Sequence, residues 1–195
     1  MSVRGVLQVH SAPPALCPHI EWAVAGVVGV PVGLSWVSQP AAPGMLRAGL
    51  DWEAHPGTAG QITSALAGWN RLRFEASEEA SPGCDAVRYS YTPTLGTFSA
   101  TVLANGDVAI PENRLRAAMT VAAAAATGVV RRPTLAGRVV SAECSALADR
   151  AAPASAQATL ADELARLLGE PWDEELEPFR CAAEGAPVRW LHATG

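Results

Sequence analysis

The residues of widest chemical reach in this chain are four histidines, His10, His19, His55 and His192, and four cysteines, Cys17, Cys84, Cys144 and Cys181. Three of the eight fall close together near the N-terminus. Cys17 directly precedes Pro18. A proline has no N–H, and inside a helix its ring clashes with the turn before it, so it belongs at a first helical position. The residue before a proline avoids helical dihedrals. Cys17 is therefore expected as a helix N-cap, where free N–H groups and the positive end of the dipole lower a thiol's pKa. With His10 or His19 as base and Glu21 as an orienting carboxylate, the parts of a thiol enzyme or a small-molecule site are present. The competing reading is packing. Free cysteine is among the most buried residue types, and burial disfavours the thiolate.

Other chemistries find less support. A metal centre needs three or four converging ligands. Cys17 and His19 stand two apart at a helix start, so they point about 200° apart. His55 is expected on the opposite rim of the sheet. No metal and no cofactor is called for. G-x-S-x-G, G-x-x-x-x-G-K-[ST] and G-x-G-x-x-G are all missing from the sequence, so no nucleophile elbow and no nucleotide loop of those types is expected. No motif commits the chain to an enzymatic reaction.

A second set of residues suits binding. Arg4, Gln8, His10, Arg47, Asp51, Arg71 and Arg73 sit at the polar positions of apolar–polar alternations. On a sheet with one covered face they would share the other. Such an Arg-bearing face could meet an acidic partner or ligand, or could simply be solvated. Near the C-terminus, PWDEELEPFR repeats Trp172, Leu176 and Phe179 at helical spacing, with Asp173, Glu174, Glu175 and Glu177 expected to face away. This segment reads either as a helix docked by its apolar row or as an acidic element offered to a partner.

The elements that must position these residues follow from periodicity. Residues 3–10 alternate Val3, Gly5, Leu7 and Val9 against Arg4, Gln8 and His10, which predicts a strand covered on one side. Ile20, Val24, Val27 and Val28 make a helical stripe after Pro18. Residues 32–37 read as a second strand. Residues 45–53 are the cleanest strand, with Leu46, Ala48, Leu50 and Trp52 against Arg47, Asp51 and Glu53. Thr58 and Gln61 form a capping box before the stripe Ile62, Leu66 and Trp69. Residues 71–76 alternate again. Strand–helix–strand, twice over, is the ferredoxin-like βαββαβ order, an antiparallel sheet with both helices on one face. Residues 87–92, 98–102 and 108–110, the last two joined at Asn105-Gly106, extend it as a meander. Pro111 opens a third helix with Leu115, Ala118 and Met119 as its apolar positions.

Composition bounds the rest. The chain has 195 residues, 49% of them hydrophobic, enough for a real core. The net charge is -5, and all 14 basic residues are arginine, so there is no basic footprint for nucleic acid. The longest apolar run near the N-terminus is about twelve residues, too short for a bilayer, and Gln8, His10 and Glu21 interrupt any secretory signal. Widely spaced cysteines fit reduced thiols in a cytoplasm. Three regions are expected: an α+β core over residues 1–119, an Ala-rich and partly disordered insertion over 120–158, and a C-terminal helix and lid over 159–195 packing on the core.

Several blocks in fixed order carry a resemblance: RGVLQVHSAPPALCPHIEWA, RYSYTPTLGTF, NGDVAIPENRLR, LGEPWDEELEPFR and GAPVRWLH. Together they resemble an actinobacterial family, the domain of unknown function DUF3145. The resemblance covers nearly all of the chain outside residues 120–158. It implies a cytoplasmic actinobacterial protein, with family genes often placed near those of fatty-acid synthesis. It implies no activity, and no catalytic residue carries over. The expectation is a non-catalytic interaction or regulatory module with a protein partner and a link to lipid metabolism. The alternative is a small-molecule-binding protein or thiol enzyme centred on Cys17 and His10.

Overall fold

The structure is a computed structural model, and it describes residues 2–126 and 156–181. In chain order these form β1 (Val3–Ala12), α1 (Cys17–Val28), β2 (Val37–Ser38), β3 (Leu46–Ala54), α2 (Thr58–Leu66), β4 (Arg73–Glu78), β5 (Ala86–Thr92), β6 (Gly96–Val102), β7 (Val108–Ala109), α3 (Glu112–Ala126), α4 (Ala156–Leu168) and α5 (Glu170–Cys181). The chain is α+β, with one seven-stranded antiparallel sheet in the order β2-β3-β1-β4-β5-β6-β7. That is more strands than a four-stranded core holds. The elements fall into two compact units, one built from β1 to β7 with α1, α2 and α5, the other from α3 and most of α4.

Alternation in β1 decides which face is which. Val3, Leu7 and Val9 are buried, while Arg4 is exposed and Val6, Gln8 and His10 are half-buried. The apolar face packs against both α1 and α2: Ile20 and Val24 from one, Ile62 and Leu66 from the other, with Trp52, Phe74 and Tyr91 from the sheet. Each such side chain taken fully from water contributes roughly 1.5–3 kcal/mol, which makes this layer the main source of stability. Gly5 lies opposite Trp52 in the register. A Cβ there would come within 2.1 Å of the Trp52 ring and 2.3 Å of the Ser77 carbonyl oxygen, so only glycine lets Trp52 lie across β1.

Several local expectations are corrected. Only Val37–Ser38 pairs where a strand over 32–37 was expected. The segment before it is drawn away by Glu21, whose Oε1 accepts both the Leu34 N–H and the Trp36 Nε1–H at 2.9 Å; Val32, Leu34 and Trp36 still pack on the core. Thr58 does not cap α2. Gly57 is the N-cap, and the buried Glu78 carboxylate reaches over from β4 to accept the Gly57 and Ala59 N–H groups at 2.7 and 3.0 Å. A negative charge at that position suits the helix dipole. In α3, Ala118 and Ala122 are buried, whereas the larger Leu115 and Met119 are exposed. Most of the Ala-rich stretch at 120–158, with Cys144, lies outside the described residues, as do Trp190 and His192.

Candidate functional site

The second face of the sheet is polar, and α5 lies on part of it. Leu176 anchors the contact and is fully buried. Trp172 donates its Nε1–H to the Gly96 carbonyl at 2.9 Å and meets Phe98 with ring centroids 5.2 Å apart. At the other end the Arg73 guanidinium sits 4.8 Å from the centre of the Phe179 ring. Gly169 (φ +87°) makes the turn from α4 into α5 and lies so close to Phe98 that a Cβ would approach within 2.6 Å.

Between these apolar contacts sits a charged cluster centred on Glu75 of β4, whose side chain is only 8% exposed. Arg180 of α5 donates Nε–H to Oε2 at 2.9 Å and Nη2–H to Oε1 at 2.6 Å. Arg88 of β5 donates to Oε1 at 3.0 Å, and the Ser90 hydroxyl donates to the same oxygen at 3.2 Å. His10 Nε2 lies 2.7 Å from Oε2. Asp173 closes the network from α5: it takes Arg180 at 2.7 Å and also pairs with Arg88. Two strands and one helix thus converge on a single carboxylate. Burial alone would push Glu75 up. The hydrogen bonds and charges of His10 and Arg180 outweigh it and hold the carboxyl well below the usual range. For Arg180, burial acts to lower the pKa, and Glu75 and Asp173 reverse the sign and raise it. Gln39 ties the neighbouring backbones, donating to the His10 carbonyl at 2.6 Å and the Phe179 carbonyl at 3.3 Å.

Beside the cluster, Glu175 pairs with Arg73 at 3.2 Å and accepts the Thr92 hydroxyl at 2.8 Å. The expectation that Asp173 and Glu175 face away is therefore overturned: both point at the sheet, because arginines at polar strand positions wait there. Glu170, Glu174 and Glu177 do face solvent.

The candidate residues separate. Arg73 and Phe179 meet at one end of α5 and Trp172 packs at the other, all three as the seat of the helix. Arg4 is largely exposed and pairs with Glu79 at 2.9 Å. Arg71 is exposed in the turn after α2, with a positive φ of 72° and an Nη2 contact to the Met45 sulfur at 3.8 Å. Arg47 is half-buried on β3, and its Nε finds no hydrogen-bond partner among the described residues. His19 is exposed on α1. Cys17 is not an N-cap. A short 3-10 turn, Pro14–Leu16, runs straight into the helix, so Leu16 takes the cap position and Cys17 is already helical at φ -53°, ψ -49°. Its sulfur donates back to the Pro13 carbonyl at 3.6 Å. Burial, with Glu21 adding to it, pushes the thiol up rather than down. Cys17 also packs with Leu7 and Val9 on the helix-covered face, whereas His10 turns to Glu75 on the other, so the strand lies between thiol and imidazole.

Glu75, Arg88, Asp173 and Arg180 were not singled out from the sequence. One signal was available: Asp173 and Arg180 stand three before and four after Leu176, on its own face of the helix. No group of three His, Cys, Asp or Glu among the described residues could hold a metal ion, and no described helix is long and apolar enough to cross a membrane.

Comparison with known proteins adds one relationship. A family model described as a protein of unknown function (DUF3145) matches residues 6–135 and 128–193. No curated protein and no solved structure matches. The match spans nearly the whole chain, and the chain belongs to that family.

Proposed function

We propose that this member of the DUF3145 family is a non-catalytic interaction or regulatory module, cytoplasmic and actinobacterial, whose working element is α5. One observation carries the reading. A buried charged junction fixes one side of α5 on the sheet while Glu170, Glu174 and Glu177, at i, i+4 and i+7, are exposed, Glu177 with Oε2 3.5 Å from Arg180 Nη1. Buried ion pairs are weak sources of net stability, and in some systems their role is to fix geometry. A junction of this kind sets the rotation and register of a helix, and the helix then offers an acidic row to a basic surface on a partner. The order β2-β3-β1-β4 supports a ferredoxin-like core beneath it. The family resemblance directs the search for that partner to lipid metabolism.

The thiol-enzyme and small-molecule alternative has less support, since Cys17 packs in the helix-covered core while His10 lies 2.7 Å from Glu75 on the polar face. Affinity capture from native lysate with mass spectrometry tests the proposal. A partner retained by the wild-type chain should be lost with Glu170→Lys/Glu174→Lys, on the exposed row, and equally with Arg88→Ala, which loosens the seat of α5. A partner held by both variants, or dependence on Cys17 instead, would overturn it.

A further inference from the structure

The outer edge of β3 is open over most of its length. β2 pairs with it only through Val37↔Arg47 and Ser38↔Leu46, and the Gln39 N–H reaches the Met45 carbonyl at 2.9 Å. Backbone groups of a strand point alternately to its two edges, so those of Gly49 and Asp51 point the same way as those of Arg47, away from β1. Both residues are exposed, and among the described residues nothing bonds these outward groups. The segment that would continue β2 in register is residues 32–36. It alternates half-buried Val32, Leu34 and Trp36 with exposed Gly33 and Ser35, the burial pattern of a strand. It does not pair. Its Leu34 N–H is aimed at Oε1 of Glu21 on α1, and the Trp36 indole N–H bonds the same oxygen, both at 2.9 Å. The Trp36 backbone N–H turns back to the Leu34 carbonyl at 3.1 Å, a tight turn about Ser35.

We infer that residues 32–36 are a strap held open by Glu21 and poised to close on β3 in the register that β2 already sets. Ser35 would then stand opposite Gly49 and Gly33 opposite Asp51. In that register Leu34 meets Leu50 and Val32 meets Trp52, so the apolar side chains that pack on the core in this structure stay on the core face after closure. Gly33 sets no side chain against Asp51, and Gly49 sets none against Ser35. Pro31 falls opposite Glu53, where its missing N–H ends the ladder. The two states exclude each other. In a closed strap the Leu34 N–H points outward along the sheet, away from β3, so α1 cannot hold it as well, and the turn about Ser35 has to open. An unpaired edge is a liability that native sheets cover or blunt, and the Glu21 latch decides whether this sheet carries one.

Amide hydrogen exchange followed by NMR on the full chain tests this, with thermal melting as a check on folding. In the wild type the Gly49 and Asp51 amides should exchange fast, while those of Ala48 and Leu50, which point to β1, are protected. Glu21→Ala removes the acceptor and should slow Gly49 and Asp51 by about tenfold or more as they gain ladder bonds. Trp36→Phe removes one of the two latch bonds and should move the same amides in the same direction by less. Glu21→Gln keeps a carbonyl oxygen that accepts both N–H groups and should behave as wild type. Adding Gly33→Pro to Glu21→Ala should return both amides to fast exchange. Wild-type Gly49 and Asp51 amides as protected as those of Ala48 and Leu50 overturn the inference. So do amides that stay fast in Glu21→Ala and Trp36→Phe while the fold is retained, and so does protection that persists with Gly33→Pro.

Discussion

Glu75 is the residue on which the charged junction depends. With three cationic or imidazole partners around it, removing its charge breaks its pairs with the buried Arg88 and Arg180. Breaking a buried pair in this way typically costs about 3–5 kcal/mol, and Glu75→Gln should lose that much in urea titrations at neutral pH. Its pH dependence has a definite sign. A carboxylate held below its unfolded value, about 4.3, leaves the unfolded chain binding more protons at low pH. Its contribution is thus fully present above that value and is lost as pH falls below it. Wild-type stability should drop more steeply than that of Glu75→Gln between neutral pH and pH 3. The thiols form a second test at this scale. Cys17 is buried, while Cys84 and Cys181 are exposed. Alkylation of the native protein should modify Cys84 and Cys181 and spare Cys17 until the chain unfolds; rapid native labelling of Cys17 would contradict its place in the core.

Among the elements, β1 is the most constrained. It pairs with β3 and β4 along most of its length, and its two faces serve opposite ends: Leu7 and Val9 belong to the core, His10 to the junction. Gly5→Ala should cost about 3 kcal/mol or more, since overpacking here meets an aromatic ring and a backbone oxygen rather than the end of a flexible side chain; a melting point within a degree or two of wild type would show that Trp52 can move aside. α5 is held differently. Leu176→Ala should cost about 2–5 kcal/mol. Trp172 is half-buried, so its truncation should cost less than a fully buried tryptophan would, roughly 2–3 kcal/mol, with part of that loss in the bond to Gly96.

At the scale of the whole molecule, α5 returns to the sheet from far along the chain: the Glu75–Arg180 contact spans 105 residues. Closing so long a loop must precede the contacts that reward it. The sheet and its two helices should therefore form first and α5 should dock late. Stopped-flow measurements on Leu176→Ala should find faster unfolding with a refolding rate near wild type, whereas Leu7→Ala should slow refolding. Equal effects on both limbs for Leu176→Ala would place α5 in the folding nucleus.

What the sequence determined by itself was local. Period-two and period-3.6 alternation named β1, β3, β4 and the apolar rows of α1, α2 and α5, because a buried face imposes its period on every residue of an element. Family membership was legible in the same way, from blocks of residues in fixed order. The candidate site was not. Alternation marks Glu75 and Arg88 only as polar positions, identical in kind to the exposed Asp51, and nothing along the strand says that a helix 100 residues later will cover one and not the other. The tertiary structure decided that, and with it the pairing of two separate expectations, an Arg-bearing face and an acidic C-terminal segment, into one internal junction. It also decided Cys17, for burial in the helix-covered core raises the thiol's pKa, and His10 turns to the other face of the sheet.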